Sequence, residues 1–198
     1  AQRRLSTLRD VYPDLADQLY AAEGQLLYEA GEARAALDIY NHGLEAVPGS
    51  TELRYGRSMA HERLGNIEAA QTDLRDVLAR EPNDVRALNA LGYLLTNHSD
   101  RYDEALGYIE RALEADPENP AILDSMGWVQ YRLGHLAKAR QYLERAYQDF
   151  QDAEVAAHLG EVLWQQGQRE AARQLWQGAL DDNPDHPVLR ETVNRLDP

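Results

Sequence analysis

The sequence predicts an all-α protein built as a solenoid of antiparallel helix pairs, and three repeating features carry this prediction. Aligned alanines recur at separations of 33 to 35 residues, at Ala36, Ala70, Ala105, Ala139 and Ala172. Small residues keep the same period, at Gly24, Ser58, Gly92, Gly127 and Gly160. Prolines close four of the five units, at Pro48, Pro82, Pro117 and Pro184. Self-similarity at such a period is typical of repeat proteins, in which stacked units bury a continuous core.

Each unit also contains the parts of a helix-turn-helix. Small residues let the two helices approach closely, while larger apolar residues three and four apart form each buried stripe. Four units carry a turn glycine, where a left-handed backbone ends the first helix at little cost: Gly31, Gly65, Gly134 and Gly167. The third unit carries residues 97–100 there instead, and this turn is one residue longer.

Over residues 17–186 this arrangement resembles the tetratricopeptide-repeat (TPR) family, whose units of about 34 residues have small residues at helix contacts and a proline at the exit. The resemblance implies a right-handed superhelix of about five full repeats. The predicted boundaries are residues 17–50, 51–84, 85–119, 120–152 and 153–186.

Both ends of the chain differ from a complete repeat. Residues 1–16 have the spacing of a second helix whose first helix is missing, which predicts that the chain begins inside a repeat of a longer array. Residues 187–198 carry Leu189, Val193 and Leu196 at helical spacing among polar residues. That pattern predicts a capping helix with its apolar side turned inward.

Composition excludes several classes of partner and site. A formal charge of −14 opposes binding to nucleic acids and anionic lipid, because such binding rests on Lys and Arg. The absence of cysteine excludes disulfides, thiolate metal sites and cysteine nucleophiles. No run approaches the 18 apolar residues of a membrane span, so we expect no direct membrane insertion by these residues.

Catalytic and metal sites are not predicted. The six histidines fall at different repeat positions, and no phosphate-binding glycine loop follows a strand. The acidic groups around Asp100 and Asp181 lack the glycine and distal glutamate of an EF-hand loop, and carboxylates before a helix commonly cap it. We therefore expect no enzyme activity, no cofactor and no metal.

The TPR resemblance implies that certain first-helix positions line a concave groove that binds a protein or peptide. Aligned by repeat position, the candidate partner-binding residues are Tyr55, Met59, Arg63, Arg86, Asn89, Tyr93, Asn97, Asp124, Trp128, Tyr131, Arg132 and Trp164. Tyr, Trp and Arg often carry binding energy at interfaces. An extended peptide could lie along these aromatics, with its backbone held by Asn89, Asn97 and Gln25.

Two alternatives for these residues stay open. Trp164 and Tyr28 could instead pack against the neighbouring repeat, whereas charged and amide groups such as Arg86 and Asp124 would be costly in a dry helix seam, which favours ligand contact. A carboxylate clamp of the chaperone-binding type is only partly matched, because Glu52 and Asp124 stand at equivalent places.

Residues 85–135 further resemble a group of large TPR proteins of Gram-negative bacteria, through Leu88 to Tyr93, Arg101 to Ala105 and Asp124 to Trp128. This resemblance implies an outer-membrane lipoprotein that binds a periplasmic carboxyl-terminal processing protease and promotes degradation of peptidoglycan hydrolases. The rival interpretations are a cytoplasmic cochaperone that binds peptides and the interaction domain of a larger enzyme. Self-association is also left open.

Overall fold

The computed structural model describes Leu8, residues 11–149 and residues 151–197. Within these residues it contains α-helices and one short 3-10 turn, Pro13–Leu15, and no strand. The predicted all-α fold class is therefore confirmed. The helices are α1 Ala16–Glu29, α2 Ala33–Ala46, α3 Thr51–Arg63, α4 Ile67–Arg80, α5 Val85–His98, α6 Tyr102–Ala115, α7 Pro120–Arg132, α8 Leu136–Asp149, α9 Ala153–Gln165, α10 Arg169–Asp182 and α11 Pro187–Leu196.

The turns between paired helices form as their sequence predicts. The four turn glycines have φ values of 76° to 82°, and no other residue of the described chain has a positive φ. This left-handed conformation is costly for residues with a Cβ. The turn of the third helix pair, at Ser99, forms without a left-handed residue. The Ser99 hydroxyl donates to the Leu95 carbonyl at 2.8 Å.

Side chains cap four of the first helices, which explains where those helices begin. Ser50 accepts from the Leu53 amide at 3.0 Å, and Asp152 accepts from the Glu154 amide at 2.7 Å. Asp84 and Asn119 accept from amides of α5 and α7 in the same way. Each cap satisfies an amide that has no partner inside its helix.

The chain divides into two compact units, one up to Leu94 and the other from Leu95, so the division falls within α5. In the first unit α2 packs on both α1 and α3, and α3 packs on α4. Its core is formed by Leu27, Ala36, Leu37, Tyr40, Leu44, Leu53 and Ala60. In the second unit α9 contacts α7, α8, α10 and α11, around a core that includes Leu123, Leu143, Val162 and Trp176.

Two features concern the ends of the chain and membrane insertion. Most of the partial repeat predicted at residues 1–16 lies outside the described residues. At the other end, α11 buries Leu189 and Thr192. Among the helices described, none has the length and apolar character needed to cross a membrane.

Replacement of Gly127 by alanine tests whether the two helices of a pair approach closely at the repeated small residue. A Cβ at Gly127 of α7 would lie 2.5 Å from Leu143 Cγ and 3.1 Å from the Ala139 carbonyl oxygen of α8. We expect Gly127→Ala to lower the free energy of unfolding by about 1–3 kcal/mol, because the backbone oxygen cannot move aside cheaply. Urea unfolding measures the change.

Gly107→Ala is the matched control, since a Cβ at that helical position meets nothing within 4 Å. It should raise the free energy of unfolding by about 0.5–1 kcal/mol through the helix preference of alanine. Equal effects of the two substitutions would contradict the close approach of α7 and α8.

Candidate functional site

The twelve candidate partner-binding residues all lie on first helices of the pairs. In the first unit α3 carries Tyr55, Met59 and Arg63, and α5 carries Arg86, Asn89 and Tyr93. In the second unit Asn97 ends α5, α7 carries Asp124, Trp128, Tyr131 and Arg132, and α9 carries Trp164. Spacings of three and four residues place each group on one helix face.

The first unit has a cavity of about 380 Å³ on this face, which we name the Tyr40 cavity. It is lined by Ala21, Ala22, Gln25, Tyr40, Glu52, Tyr55, Gly56, Met59 and Arg86. Three of these residues are among the predicted candidates, namely Tyr55, Met59 and Arg86. The cavity walls are mainly aromatic rings, a thioether and small side chains, and the charged groups belong to Glu52 and Arg86.

Tyr40 is a buried wall of the cavity and comes from a second helix, α2. Its side chain is 2% exposed and its ring lies between Gly24 and Gly56. A Cβ at Gly56 would lie 2.5 Å from Tyr40 ring carbons and 2.7 Å from the hydroxyl oxygen. Gly56 thus provides the space through which the Tyr40 hydroxyl reaches the cavity.

The Tyr40 hydroxyl has no hydrogen-bond partner among the described residues. Burial, followed by the negative charges of Glu52 and Glu29, raises the pKa of this phenol to about 12. The hydroxyl is therefore protonated at neutral pH, with both its proton and its lone pairs available to a ligand.

Arg86 and Glu52 form an ion pair at the cavity. The Arg86 guanidinium donates to both Glu52 carboxylate oxygens, at 3.3 and 2.7 Å, and lies over the Tyr55 ring at 4.8 Å from its centroid. Both members of the pair are about half exposed. Burial raises the pKa of the Tyr55 phenol, and the positive charge of Arg86 offsets this rise only in part.

The remaining candidates of the first unit have different surroundings. Arg63 lies over the Tyr28 ring at 5.0 Å and donates to the Tyr28 carbonyl at 3.1 Å. The Asn89 side-chain oxygen is buried and has no hydrogen-bond partner. Tyr93 is half-buried. Asn89 is thus another residue of this unit with a polar atom that lacks a hydrogen-bond partner.

Asp124, in the second unit, differs from the expectation that charge keeps it out of a helix seam. It is 7% exposed, and its carboxylate lies 2.9 Å from Nδ1 of His158, which is 4% exposed. The carboxylate is tolerated there because the imidazole compensates its charge. Burial by itself lowers the pKa of His158, but the charge and hydrogen bond of Asp124 outweigh it, so the pKa is raised.

Aromatic rings stack over this buried pair. The Trp128 ring stacks on His158 at 4.1 Å between centroids and on Tyr131 at 4.9 Å. The Trp128 indole N–H donates to the Asn97 side-chain oxygen at 2.8 Å. The Asn97 oxygen is thereby engaged within the chain.

Tyr131, Glu161 and Arg195 continue this network. The Tyr131 hydroxyl donates to one Glu161 oxygen at 2.8 Å, and Arg195 donates to the other at 2.5 Å. Burial, followed by the charge of Glu161, raises the pKa of Tyr131. Glu161 is buried, so each of its oxygens has a partner inside the unit.

The last two candidates are also engaged within the second unit. Arg132 donates to the Thr96 carbonyl at 3.0 Å and to the Tyr102 hydroxyl. Trp164 stacks on Trp176 at 5.7 Å, and Arg169 and Arg173 lie over its ring. The packing alternative for Trp164 therefore describes its surroundings, while its role toward a partner stays a prediction.

The structure thus separates two groups among the predicted residues. In the second unit the polar groups of Asn97, Asp124, Trp128 and Tyr131 bond to one another or to neighbouring repeats. In the first unit the cavity offers a phenol without a partner. Across the described residues, no group of three or more His, Asp or Glu side chains is arranged to hold a metal ion.

Sequence reasoning missed Tyr40 and the pairing of charges between repeats. Tyr40 was missed because the alignment considered only first helices; the extra glycine at position 56 was the available signal. Oppositely charged or hydrogen-bonding residues 34 apart were a second signal, since they occupy equivalent places in successive repeats: Glu52 and Arg86, Asp124 and His158, Glu161 and Arg195.

Comparisons with known proteins agree with this architecture. Two family models described as tetratricopeptide repeat match the chain, one at residues 21–70 and 55–120 and the other at 98–158 and 134–196. A TPR repeat-containing protein of Pseudomonas aeruginosa is 46% identical over 196 residues, which is 99% of this chain and 33% of the relative. The human protein O-mannosyl-transferase TMTC1 is 22% identical over 88% of this chain and 20% of its own length.

A solved structure has a similar fold. The crystal structure of a thermophilic TPR protein from Thermus thermophilus superposes with a TM-score of 0.78 at 24% identity, covering 91% of this chain and 98% of that chain. The likeness concerns the fold. The present chain spans about a third of the Pseudomonas relative and a fifth of the human one.

Proposed function

Because the chain belongs to the tetratricopeptide-repeat family, whose fold supports protein–protein interaction, we propose that it is a scaffold that binds an extended segment of a partner protein along its first helices. The Tyr40 cavity is the observation that carries this proposal. It combines aromatic and thioether walls with the hydroxyl of the buried residue Tyr40, which has no hydrogen-bond partner in the described chain. Such pockets suit the anchoring side chain of a bound peptide.

The scaffold does no chemistry of its own in this proposal. In the second unit the buried carboxylates of Asp124 and Glu161 have partners inside the fold, and the pair most like a catalytic dyad, Asp124 and His158, lies beneath the Trp128 ring. Catalysis would also require a nucleophile positioned beside these groups. In this proposal the Asp124–His158 pair instead supports the Trp128 ring that stacks on His158.

At a finer level, we propose an adaptor in the Gram-negative cell envelope, on the periplasmic side of the outer membrane. It would bind a carboxyl-terminal processing protease and its peptidoglycan hydrolase substrates, and thereby raise their effective concentration. Support for this finer proposal comes from the resemblance over residues 85–135, while the 46% identity to the Pseudomonas protein supports the TPR repeat itself.

The interaction region of a larger enzyme is the second candidate. The observation that favours it is the match to TMTC1, a protein named as a transferase, over a fifth of its length. In that case the chain would still bind a protein segment, and catalysis would reside in other parts of the polypeptide.

The test uses the purified carboxyl-terminal processing protease of the source organism. We expect the wild-type chain to bind it saturably and to accelerate cleavage of a purified peptidoglycan hydrolase. The double variant Tyr55→Ala/Met59→Ala should bind about 10-fold or more weakly, because anchors in a pocket typically contribute over 1 kcal/mol each. Both side chains line the cavity.

Tyr108→Ala is the control, since this half-buried tyrosine lies on the second helix α6, outside the cavity. Circular dichroism checks that all variants remain folded. Equal binding by the double variant would remove the cavity from the proposal, and absence of protease binding by the wild type would rule out the adaptor.

A further inference from the structure

We propose that the Tyr40 cavity binds a lysine side chain presented by the extended segment of a partner, an inference that rests on the proposed peptide-binding function. The ammonium group would bind at the Tyr40 hydroxyl and the Glu52 carboxylate. The alkyl stem would lie between Tyr55 and Met59. Three features of the cavity lead to this assignment.

The floor of the cavity provides an acceptor that nothing in the described chain uses. Tyr40 is 2% exposed and lines the cavity, and its hydroxyl makes no hydrogen bond to the described residues. A ligand group that donates a hydrogen bond to this hydroxyl inside the cavity gains the free energy of that bond. An ammonium group donates up to three hydrogen bonds and accepts none, which suits the lone pairs of the phenol oxygen.

The walls suit an alkyl stem. Tyr55 and Met59 stand four residues apart on α3, so both side chains lie on the same helix face. The small residues Ala21 and Ala22 of α1 and Gly56 of α3 also line the cavity and leave room for such a stem. Lysine buries its methylene chain along apolar surface while its charged end reaches a polar group, and this division matches the cavity.

The charges at the cavity favour a cation. Glu52 contributes the only carboxylate among the lining residues, and Arg86 is the only cation there. Arg86 occupies two of the roughly four acceptor positions of that carboxylate, which leaves capacity for a second donor. Glu29 adds a further negative charge that acts on Tyr40. The formal charge of −14 on the chain would also attract a basic segment from a distance.

An anionic side chain or an arginine fits less well. An anion would compete with Glu52 for Arg86, whose guanidinium already holds both carboxylate oxygens. An arginine would need a planar pair of acceptors, and the one carboxylate is engaged in that way by Arg86. The ammonium group of lysine is a compact charge that can share Glu52 with Arg86.

The experiment compares three fluorescein-labelled extended peptides that differ only in their central residue: lysine, norleucine or glutamate. Norleucine keeps the alkyl stem and removes the charge. Fluorescence anisotropy with the full 198-residue chain should show the lysine peptide binding about 10-fold or more tightly than the norleucine peptide, and the glutamate peptide binding most weakly. The preference for lysine should fall as salt is raised.

Tyr40→Phe removes only the hydroxyl, and Glu52→Gln removes only the charge, so each should reduce the lysine-to-norleucine ratio several-fold. Tyr108→Phe removes a phenol hydroxyl from α6, outside the cavity, and should leave the ratio unchanged. Thermal unfolding of every variant separates a loss of selectivity from a loss of fold. These outcomes together support the lysine site.

Two other outcomes overturn it and can be told apart. If all three peptides bind equally and Tyr55→Ala/Met59→Ala weakens them all, the lysine assignment is wrong while the peptide-binding function stands. If no peptide binds and the protease binds the double variant as tightly as the wild type, the lysine site and the first-helix groove both fail.

Discussion

Replacement of His158 by phenylalanine is expected to lower the free energy of unfolding by about 3–5 kcal/mol. Phenylalanine keeps a ring beneath Trp128 but removes the nitrogen that lies 2.9 Å from the Asp124 carboxylate. Asp124 would then be a buried carboxylate without its partner, and leaving one member of such a pair alone costs more than the pair contributes. Urea unfolding followed by circular dichroism gives the value.

The double variant Asp124→Leu/His158→Phe separates charge burial from packing. It removes both polar groups and places apolar side chains of similar size in the seam, so its stability should return close to that of the wild type. A double-mutant cycle then yields the coupling between the two residues. If His158→Phe alone lowers the free energy of unfolding by less than about 1 kcal/mol, the Asp124–His158 pair contributes less to stability than its burial suggests.

The same pair predicts how stability depends on pH. Asp124 raises the pKa of His158 in the folded protein above its unfolded value, about 6.5, so the folded state binds the proton more tightly. The resulting stabilisation is fully present below about pH 6.5 and is lost as pH rises through the folded pKa. Glu154 and Glu161 act on the imidazole in the same direction.

We therefore expect the stability of the wild type, measured relative to the double variant, to decline as the pH rises above about 6.5 and through the raised pKa of His158. The double variant is the suitable reference because it has neither titrating group. A difference that grows with pH would mean that desolvation outweighs Asp124 and that His158 is neutral in the folded protein.

Trp176→Ala should also lower the free energy of unfolding by about 3–5 kcal/mol. Trp176 is 1% exposed, belongs to the core of the second unit and packs against Gly160. Its truncation leaves a cavity where the α9 and α10 helices meet and removes the ring on which Trp164 stacks. Thermal and urea unfolding of the purified variant measure the loss.

Gly160→Ala tests the same contact from the other helix. A Cβ at Gly160 would overlap the Trp176 indole, so the single substitution should be destabilising by about 1–3 kcal/mol. Once Trp176 is alanine that overlap disappears, and Gly160→Ala should become neutral or favourable. Additive effects of the two substitutions would contradict the direct contact between these positions.

The repeat architecture could be predicted from the sequence because it depends on short-range rules. Turn glycines at Gly31, Gly65, Gly134 and Gly167 adopt the left-handed conformation that only a residue without Cβ adopts cheaply. Capping residues, such as Ser50 and Asp152, fix where first helices begin. Each rule acts within a few residues or between neighbouring helices, so its effect can be predicted from the amino-acid sequence.

The candidate site could be predicted only in part. Repeat alignment placed Tyr55, Met59 and Arg86 on a first-helix face, and these three residues line the Tyr40 cavity. It did not indicate which polar groups find partners inside the fold. Trp128 and Asn97 are 31 residues apart, and Tyr131 and Glu161 are 30 apart, yet their side chains meet.

The sequence by itself determined the class of fold and the period of the helix pairs, because helix periodicity and turn chemistry are local properties. Only the tertiary structure decided that the Asp124 carboxylate is buried against His158, and that Tyr40 reaches a cavity between first helices through the space left by Gly56. Those outcomes depend on side-chain rotamers and on close packing between helices of different repeats, which no repeat position specifies.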